Sequence, residues 1–188
     1  YEVADRKGKG IDIPNLFEER LVMLQNGFKE NKKTTKTTIG IPRALMLYYQ
    51  QFPFWRSFWE ELGFDVVISD ESHKDLLNKA NEMMTAETCL PVEFVHGHVQ
   101  NLLDKKVDHV FLPFIVDSKP TDGTKTSNAN CPWVQSHPFM VKASLHKNID
   151  VSKLLIPTLH FRYFKTAFQK EITEFMKEKF GLSKSIVL

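Results

Sequence analysis

The sequence predicts an α/β fold: an open, mainly parallel sheet with helices on both faces, flavodoxin-like or Rossmann-like, preceded by a helical N-terminal extension. From residue 38 onward, short apolar runs alternate with longer amphipathic stretches, and strands that alternate with helices form parallel sheets covered on both sides. The chain has 188 residues, of which 42 % are hydrophobic, so it is long enough to bury a substantial core.

The first 37 residues are predicted to form the extension, and residues 38–188 the α/β domain. In the extension, "IPNLFEERLVMLQNGF" places apolar residues at helical spacing. The lysine-rich "KENKKTTKT" that follows is typical of a solvated linker. The chain begins with Tyr1 rather than methionine, so we expect it to be a piece of a larger protein.

Buried strands are predicted from short apolar runs. They cover residues 38–42, 65–69, 108–114 and 153–157, and a short strand near residues 84–87 would complete five βα units. The connections between these strands should be right-handed.

The clearest helices are two apolar stripes, each followed by a glycine suited to end a helix. The stripes are Trp55, Phe58, Trp59 and Leu62 before Gly63, and Phe164, Phe168, Ile172, Phe175 and Met176 before Gly181. Helices are also predicted over residues 73–83, 91–104 and 132–146. Residues 115–131 are predicted to form a long polar loop, and such loops are usually functional or mobile.

Composition and motifs exclude several functions. The 25 basic and 23 acidic residues leave a formal charge of +2, and no dense basic face suited to nucleic acid is present. No apolar run is long enough for a membrane span, and the polar N-terminus does not read as a signal peptide. Neither a glycine-rich phosphate loop nor a GxSxG motif occurs, so we expect no independent catalytic activity. Two cysteines make a cytoplasmic, reducing location the default.

Cys89 and Cys131 are the main candidate site residues. Cys89 lies two residues before Pro91 and Cys131 directly before Pro132, and proline is favoured at the first position of a helix. Both cysteines should therefore lie at helix N-termini, where free N–H groups and the helix dipole stabilise a thiolate. In an open α/β sheet these helix starts lie at the carboxyl edge of the strands, where ligands bind. The alternative is that both are ordinary buried cysteines.

His96 and His98 follow Cys89 closely, but their spacing argues against a zinc site. Residues two apart on a helix point about 200° apart, and the rise from Cys89 to His96 is on the order of 10 Å, too far for zinc bonds of ~2.0–2.3 Å. His96 is predicted to be a core histidine or one that supports a site. His98 is predicted at the surface or at a site rim, with Gly97 permitting close helix packing.

Other polar residues have both a functional and an ordinary interpretation. Arg43 follows the first strand, so it should face the carboxyl edge and bind an anion or phosphate, unless it only pairs with a carboxylate. Glu87 is placed either to position a ligand beside Cys89 or to cap a helix. Gln135 and His137 are predicted to be surface residues.

Three segments resemble a known family. They are "IGIPRALMLYYQQFPFWRSFWEELGFDVVISD", "AETCLPVEFVHGHVQNLLDKKVDHVFLPF" and "NCPWVQSHPF". Together they are similar to the uncharacterised middle domain of the large CoA-substrate-specific enzyme activases, relatives of the activator and dehydratase components of the 2-hydroxyacyl-CoA dehydratase system. The resemblance runs from about residue 38 to the C-terminus, and the segment before it is similar to the linker that precedes that domain.

The resemblance implies low-potential electron transfer driven by ATP hydrolysis in a separate actin-like activase domain, expected in the same polypeptide. It also implies a 2-hydroxyacyl-CoA dehydratase-type partner and an iron–sulfur cluster held by cysteines. Carried onto this chain, the metal ligands would be Cys89 and Cys131. The candidate cofactor-binding residues, Arg43 and Glu87, follow from their positions in the sequence and not from the resemblance. Such clusters usually take three cysteines per subunit, whereas this chain has two, so further ligands would lie beyond Leu188, on another subunit or on small molecules.

Three hypotheses therefore stay open from the sequence. The leading one is an iron–sulfur redox module in dehydratase activation. The second is a metal-free module that binds a CoA ester or docks the activase ATPase domain, with the cysteines as packing. The third is a thiol redox sensor that uses the cysteine pair directly, which would require Cα atoms within ~7 Å of each other.

Overall fold

The computed structural model describes residues 14–30, 36–120, 128–145 and 150–188. The helices are α1 (Leu16–Leu24), α2 (Leu45–Tyr49), α3 (Phe52–Glu61), α4 (Lys74–Met83), α5 (Leu90–Asp104), α6 (Pro132–Ser144), α7 (Gln169–Phe180) and α8 (Lys184–Val187). The strands are β1 (Thr38–Ile41), β2 (Asp65–Ile68), β3 (His109–Phe111), β4 (Phe114–Asp117), β5 (Leu154–Leu155) and β6 (Thr158–His160). Short 3₁₀ turns cover Val151–Lys153 and Phe161–Tyr163, and a π-helical turn covers Phe164–Phe168.

The four-stranded sheet is parallel throughout, in the order β2-β1-β3-β5. Strands β4 and β6 pair in parallel as direct continuations of β3 and β5. Pro113 and Pro157 interrupt the two strands, but the ladder continues across them: Leu112 N–H donates to the Leu155 carbonyl at 2.9 Å, and Phe114 N–H to the Pro157 carbonyl at 2.9 Å. The parallel α/β class predicted from the sequence is confirmed.

Each strand buries alternate side chains on opposite faces, which is why helices cover both sides. Ile39 and Ile41 of β1 pack into an aromatic core with Trp55 and Trp59 of α3 and with Ile172 and Met176 of α7. On the other face, Val67 and Val110 pack with Val95, Val99 and Leu102 of α5 and Val141 of α6. The result is three layers, with α3 and α7 on one face and α4, α5 and α6 on the other.

Two glycines suit the positions they hold at the ends of helices. Gly63 follows α3 with φ +87° and Gly181 follows α7 with φ +67°, a left-handed conformation that glycine adopts at low cost. Both predicted helix ends are therefore confirmed. Helix α1 contributes Leu21 and Leu24 to the edge of the aromatic core.

The structure corrects two predictions. Residues 84–87 do not form a strand, because α4 folds back directly on α5 and the two helices share one crossover between β2 and β3. Residues 114–117, placed partly in the polar loop, form β4 instead, since pairing with β6 buries Ile115 and Asp117. Three predicted features lie partly outside the described residues. They are the polar loop at residues 121–127, the linker at residues 31–35, and the end, at residue 146, of the helix predicted over residues 132–146.

Candidate functional site

The topological switch point of the sheet lies at its carboxyl edge, between β1 and β3. The chain leaves β1 toward β2 on one side, and it leaves β3 and its continuation toward β5 on the other. In open α/β sheets, ligands bind at such a switch point, where connections from neighbouring strands diverge. The polar groups around this edge are therefore the candidates for function.

Both cysteines lie at helix N-termini, as the prolines predicted. Cys89 is the N-cap of α5 and Cys131 the N-cap of α6. Both are free and exposed, and neither side chain caps its own helix with a hydrogen bond. The alternative prediction, that both are ordinary buried cysteines, is therefore wrong.

Helices α5 and α6 lie side by side and run in the same direction. Each leads from the carboxyl edge into the next parallel strand, Val95 and Val141 share one core cluster, and the Met140 backbone lies beside the His96 imidazole. Cys89 precedes His96 by seven residues and Cys131 precedes Met140 by nine, which places the tips about 10 and 13 Å along their axes from this contact. The two cysteines therefore lie at the same edge of the molecule.

Helix α5 extends well beyond the sheet. His98 Nδ1 lies 2.9 Å from Ser69 Oγ at the end of β2, and Cys89 is nine residues nearer the N-terminus, about 13 Å farther along the axis. Exposed apolar side chains adjoin both cysteines, since Leu90 is 52 % and Trp133 47 % exposed.

A surface cavity of about 610 Å³ lies on the α4 side of Cys89. Its lining residues are Asn81, Met84, Thr85, Ala86, Glu87 and Glu93. The Glu93 carboxylate also accepts the Thr88 N–H at 3.4 Å. Glu87 and Glu93 thus make the approach to Cys89 from this side polar and acidic.

Two buried histidines lie beneath the cysteine-bearing tips. His96 Nδ1 donates to the Val92 carbonyl at 3.2 Å and His137 Nδ1 to the Val134 carbonyl at 2.6 Å. Burial lowers the pKa of both, that of His137 to about 4. His96 is buried as predicted, whereas the surface position predicted for His137 is wrong, because α6 packs that side chain against the sheet. The neighbouring Gln135 amide donates to the Asn130 carbonyl at 2.7 Å.

The prediction that His98 lies at the surface or at a site rim is also wrong. His98 is fully buried, with Nδ1 2.9 Å from Ser69 Oγ and Nε2 3.0 Å from Ser72 Oγ. Burial, then the positive charge of Arg43, lowers its pKa to about 4. His98 is therefore neutral, and its hydrogen bonds to Ser69 and Ser72 hold the segment that follows β2 in place.

Arg43 lies at the end of β1, as predicted, and pairs with Glu71. Its Nη2 is 3.1 Å from Glu71 Oε1, and its guanidinium lies over the Tyr48 ring at 5.4 Å from the ring centre. Leu45, with φ +50°, lines a cavity of about 10 Å³ that Val134 of α6 also lines. Arg43 is thus level with His98, on the side of β1 where the segment after β2 lies, and distant from Cys89.

Sequence reasoning missed a second group of polar residues at the same edge. At the end of β6, the His160 backbone N–H donates to Glu171 Oε2 at 2.9 Å, and His160 Nδ1 lies 2.6 Å from Glu171 Oε1. At the end of β4, buried Asp117 accepts the Arg162 N–H at 2.8 Å. A polar residue directly after an apolar run is the sequence pattern that could identify these groups. The strands predicted from the sequence, however, do not include β6 or most of β4.

The donor set of this chain is incomplete for an iron–sulfur cluster. In the part of the chain that the structure describes, no group of three or more His, Cys, Asp or Glu side chains is arranged to hold a metal ion. The sequence contains two cysteines, which is half of the four thiolates that such clusters take. The chain's own residues therefore do not close a cluster site.

Fold and site together define a class: a three-layered open α/β domain with two exposed cysteines at helix starts on the carboxyl side of its sheet. The chain belongs to the CoA enzyme activase uncharacterised domain family, which matches residues 38–187. This confirms the resemblance seen in the sequence. No curated protein and no solved structure matches the chain.

Among the described helices, none has the length and apolar character needed to cross a membrane.

Proposed function

We propose that this domain is a redox module of the CoA enzyme activase system, in which Cys89 and Cys131 supply two ligands of an iron–sulfur cluster. The observation that carries the proposal is the position of the two free, exposed cysteines at the starts of adjacent helices that run in the same direction. The other ligands would come from outside this chain: another subunit, small molecules, or a further part of the polypeptide.

The helix starts suit an anionic group. The first turn of a helix leaves N–H groups without intrahelical partners, and the positive end of the dipole favours negative charge. Two such ends lie together here, so their fields add. An iron–sulfur cluster would supply one-electron transfer at a potential set by its charge, hydrogen bonds and exposure.

The surroundings of the cysteines favour a protein partner over a CoA ester. Glu87 and Glu93 place carboxylates beside Cys89, and these repel the phosphates of CoA. Leu90 and Trp133 offer apolar surface that a protein partner would bury. We propose that the partner is a 2-hydroxyacyl-CoA dehydratase-type protein, with the ATP-dependent activase domain as the source of electrons.

Cysteine replacement tests this proposal directly. The chain is purified without oxygen, treated with ferrous iron, sulfide and an excess of a small thiol that can supply the remaining ligands, and assayed for bound iron, bound sulfide and visible absorption. We expect iron and sulfide to bind to the parent chain and to fall to background in both Cys89→Ser and Cys131→Ser, because each variant removes one of the two thiolates that anchor the cluster.

A relocated thiol provides the matched control. Ser57 is exposed on α3, on the opposite face of the sheet, so Cys89→Ser combined with Ser57→Cys restores the number of thiols but not their position. Iron binding should stay at background in this variant. Absence of iron from the parent chain, or equal iron in all variants, would favour the metal-free docking module. A Cys89–Cys131 disulfide formed on mild oxidation in a chain without iron would favour the redox sensor.

A further inference from the structure

We infer that Arg43 binds the carboxylate of a small-molecule ligand, and that Glu71 occupies this carboxylate position in the free chain. The two partners of the ion pair differ sharply in exposure, since the Arg43 side chain is 12 % and the Glu71 side chain 79 % exposed. The arginine is thus part of the folded edge, whereas the glutamate reaches it from solvent. This inference concerns a different group from the cysteines and does not depend on the cluster.

The Arg43 guanidinium is held in position before any ligand arrives. Its backbone N–H donates to Ser69 Oγ at 2.8 Å, and one face of the guanidinium lies over the fully buried Tyr48 ring. A cation held over an aromatic ring, with little exposure to water, interacts more strongly with an anion than a freely moving surface arginine does.

The guanidinium also has donors to spare. Of its five N–H groups, one direct contact is formed within the described residues, from Nη2 to Glu71 Oε1 at 3.1 Å. A carboxylate can accept two parallel N–H bonds from arginine, so the present single contact leaves the stronger, bidentate arrangement unused.

Glu71 can leave without disturbing the backbone that carries it. The segment after β2 is fixed on both sides of Glu71: the Asp70 N–H donates to Asn101 Oδ1 at 2.9 Å, and Ser72 Oγ lies 3.0 Å from His98 Nε2. The exposed Glu71 side chain is then free to rotate away from Arg43 while the segment stays in place.

The other nearby carboxylate does not compete for Arg43. Asp70 is 2.9 Å from Lys105 Nζ and accepts from the Asn101 amide at 2.8 Å. The hydrogen bond from Lys105, and to a lesser extent that from Asn101, lowers the pKa of Asp70. Arg43 follows β1 at the carboxyl edge, the edge at which open α/β sheets bind ligands. Among the described carboxylates near it, a ligand carboxylate has to displace Glu71 alone.

Anion titrations of the ¹⁵N-labelled 188-residue chain test the inference, with sodium acetate as the probe at constant ionic strength. The shifts of the Arg43 side-chain N–H and of the amides of residues 69–72 are followed by NMR. An exposed ion pair is worth little, so removing the competitor in Glu71→Gln should tighten acetate binding by roughly two- to fivefold. Glu71→Gln combined with Arg43→Gln should abolish it.

Glu61→Gln is the matched control, because Glu61 is exposed at the end of α3 and its replacement changes the net charge equally. Equal acetate affinity in Glu71→Gln and Glu61→Gln would overturn the inference, as would shifts centred away from Arg43. Inorganic phosphate forms the second arm, and tighter binding of phosphate than of acetate would overturn the assignment to a carboxylate. Far-ultraviolet circular dichroism verifies that each variant is folded.

Discussion

Replacing Gly97 by alanine is expected to destabilise the chain by about 3 kcal/mol or more, at or beyond the upper end of overpacking effects. A Cβ atom at this position would lie 2.2 Å from the Leu76 carbonyl oxygen and 2.9 Å from its carbon. Both atoms belong to the backbone of α4, so no side-chain rotation relieves the clash. The two helices would have to separate, which opens the core beneath them.

The sign of this effect makes it diagnostic. In the middle of an ordinary exposed helix, the same change stabilises by about 0.8–1.0 kcal/mol, because alanine is the better helix former. Urea unfolding followed by circular dichroism and tryptophan fluorescence measures the difference.

Gly40→Ala serves as the comparison. The three heavy atoms nearest to a Cβ there are side-chain methyl groups of Leu102 and Val107, at 3.1–3.2 Å, so we expect a smaller loss, of about 1 kcal/mol. A Gly97→Ala chain as stable as the parent would show that α4 and α5 do not pack in the arrangement described.

Acidification from pH 6.5 toward pH 4 is expected to lower the free energy of unfolding steeply, because of His98 and His137. Burial holds the pKa of each at about 4, against an ordinary value of 6.5. Below pH 6.5 the unfolded chain takes up a proton at each histidine and the folded chain does not. The stabilisation is therefore complete above pH 6.5 and is lost as the pH falls toward 4.

The slope gives the size of the effect. Each histidine lowers the free energy of unfolding by about 1.4 kcal/mol per pH unit in this window, so the two together give a slope of about 2.7 kcal/mol per unit. Urea unfolding at intervals between pH 7 and pH 4 measures it.

Replacing one histidine at a time shows how much each contributes to the pH dependence of the free energy of unfolding. His98→Gln and His137→Gln should each reduce the slope by about 1.4 kcal/mol per pH unit, whereas His73→Gln, a change at an exposed position, should leave it unchanged. An unchanged slope in both buried variants would mean that these imidazoles are not held neutral by the fold.

The strands and helices were predictable wherever the local pattern and the tertiary structure agree. The apolar stripe around Trp55 and Trp59 and the run at residues 65–69 are long or regular enough to have one interpretation. The short segment at residues 84–87 does not, because a few residues are compatible with a strand or a turn. Only the direct packing of α4 on α5 through Gly97 decides between them.

The two cysteines were found because proline marks a helix start locally. The predictions for His98 and His137 are wrong because the burial of these two side chains depends on distant segments. The residues after β2 cover His98, and packing of α6 on the sheet buries His137. The pairing of His160 with Glu171 joins two elements of which one, β6, is three residues long. No periodicity is visible over so short a length.

The extension of α5 beyond the sheet has a consequence for how far this domain reaches. Cys89 lies at the N-terminal end of α5, so its height above the sheet depends on the number of residues between it and His98, which is anchored to Ser69. One turn more or less shifts the sulfur by about 5.4 Å with little change of heading. The height of Cys89 above the sheet is thus adjustable by insertion or deletion of residues in α5, with no redesign of the layers below.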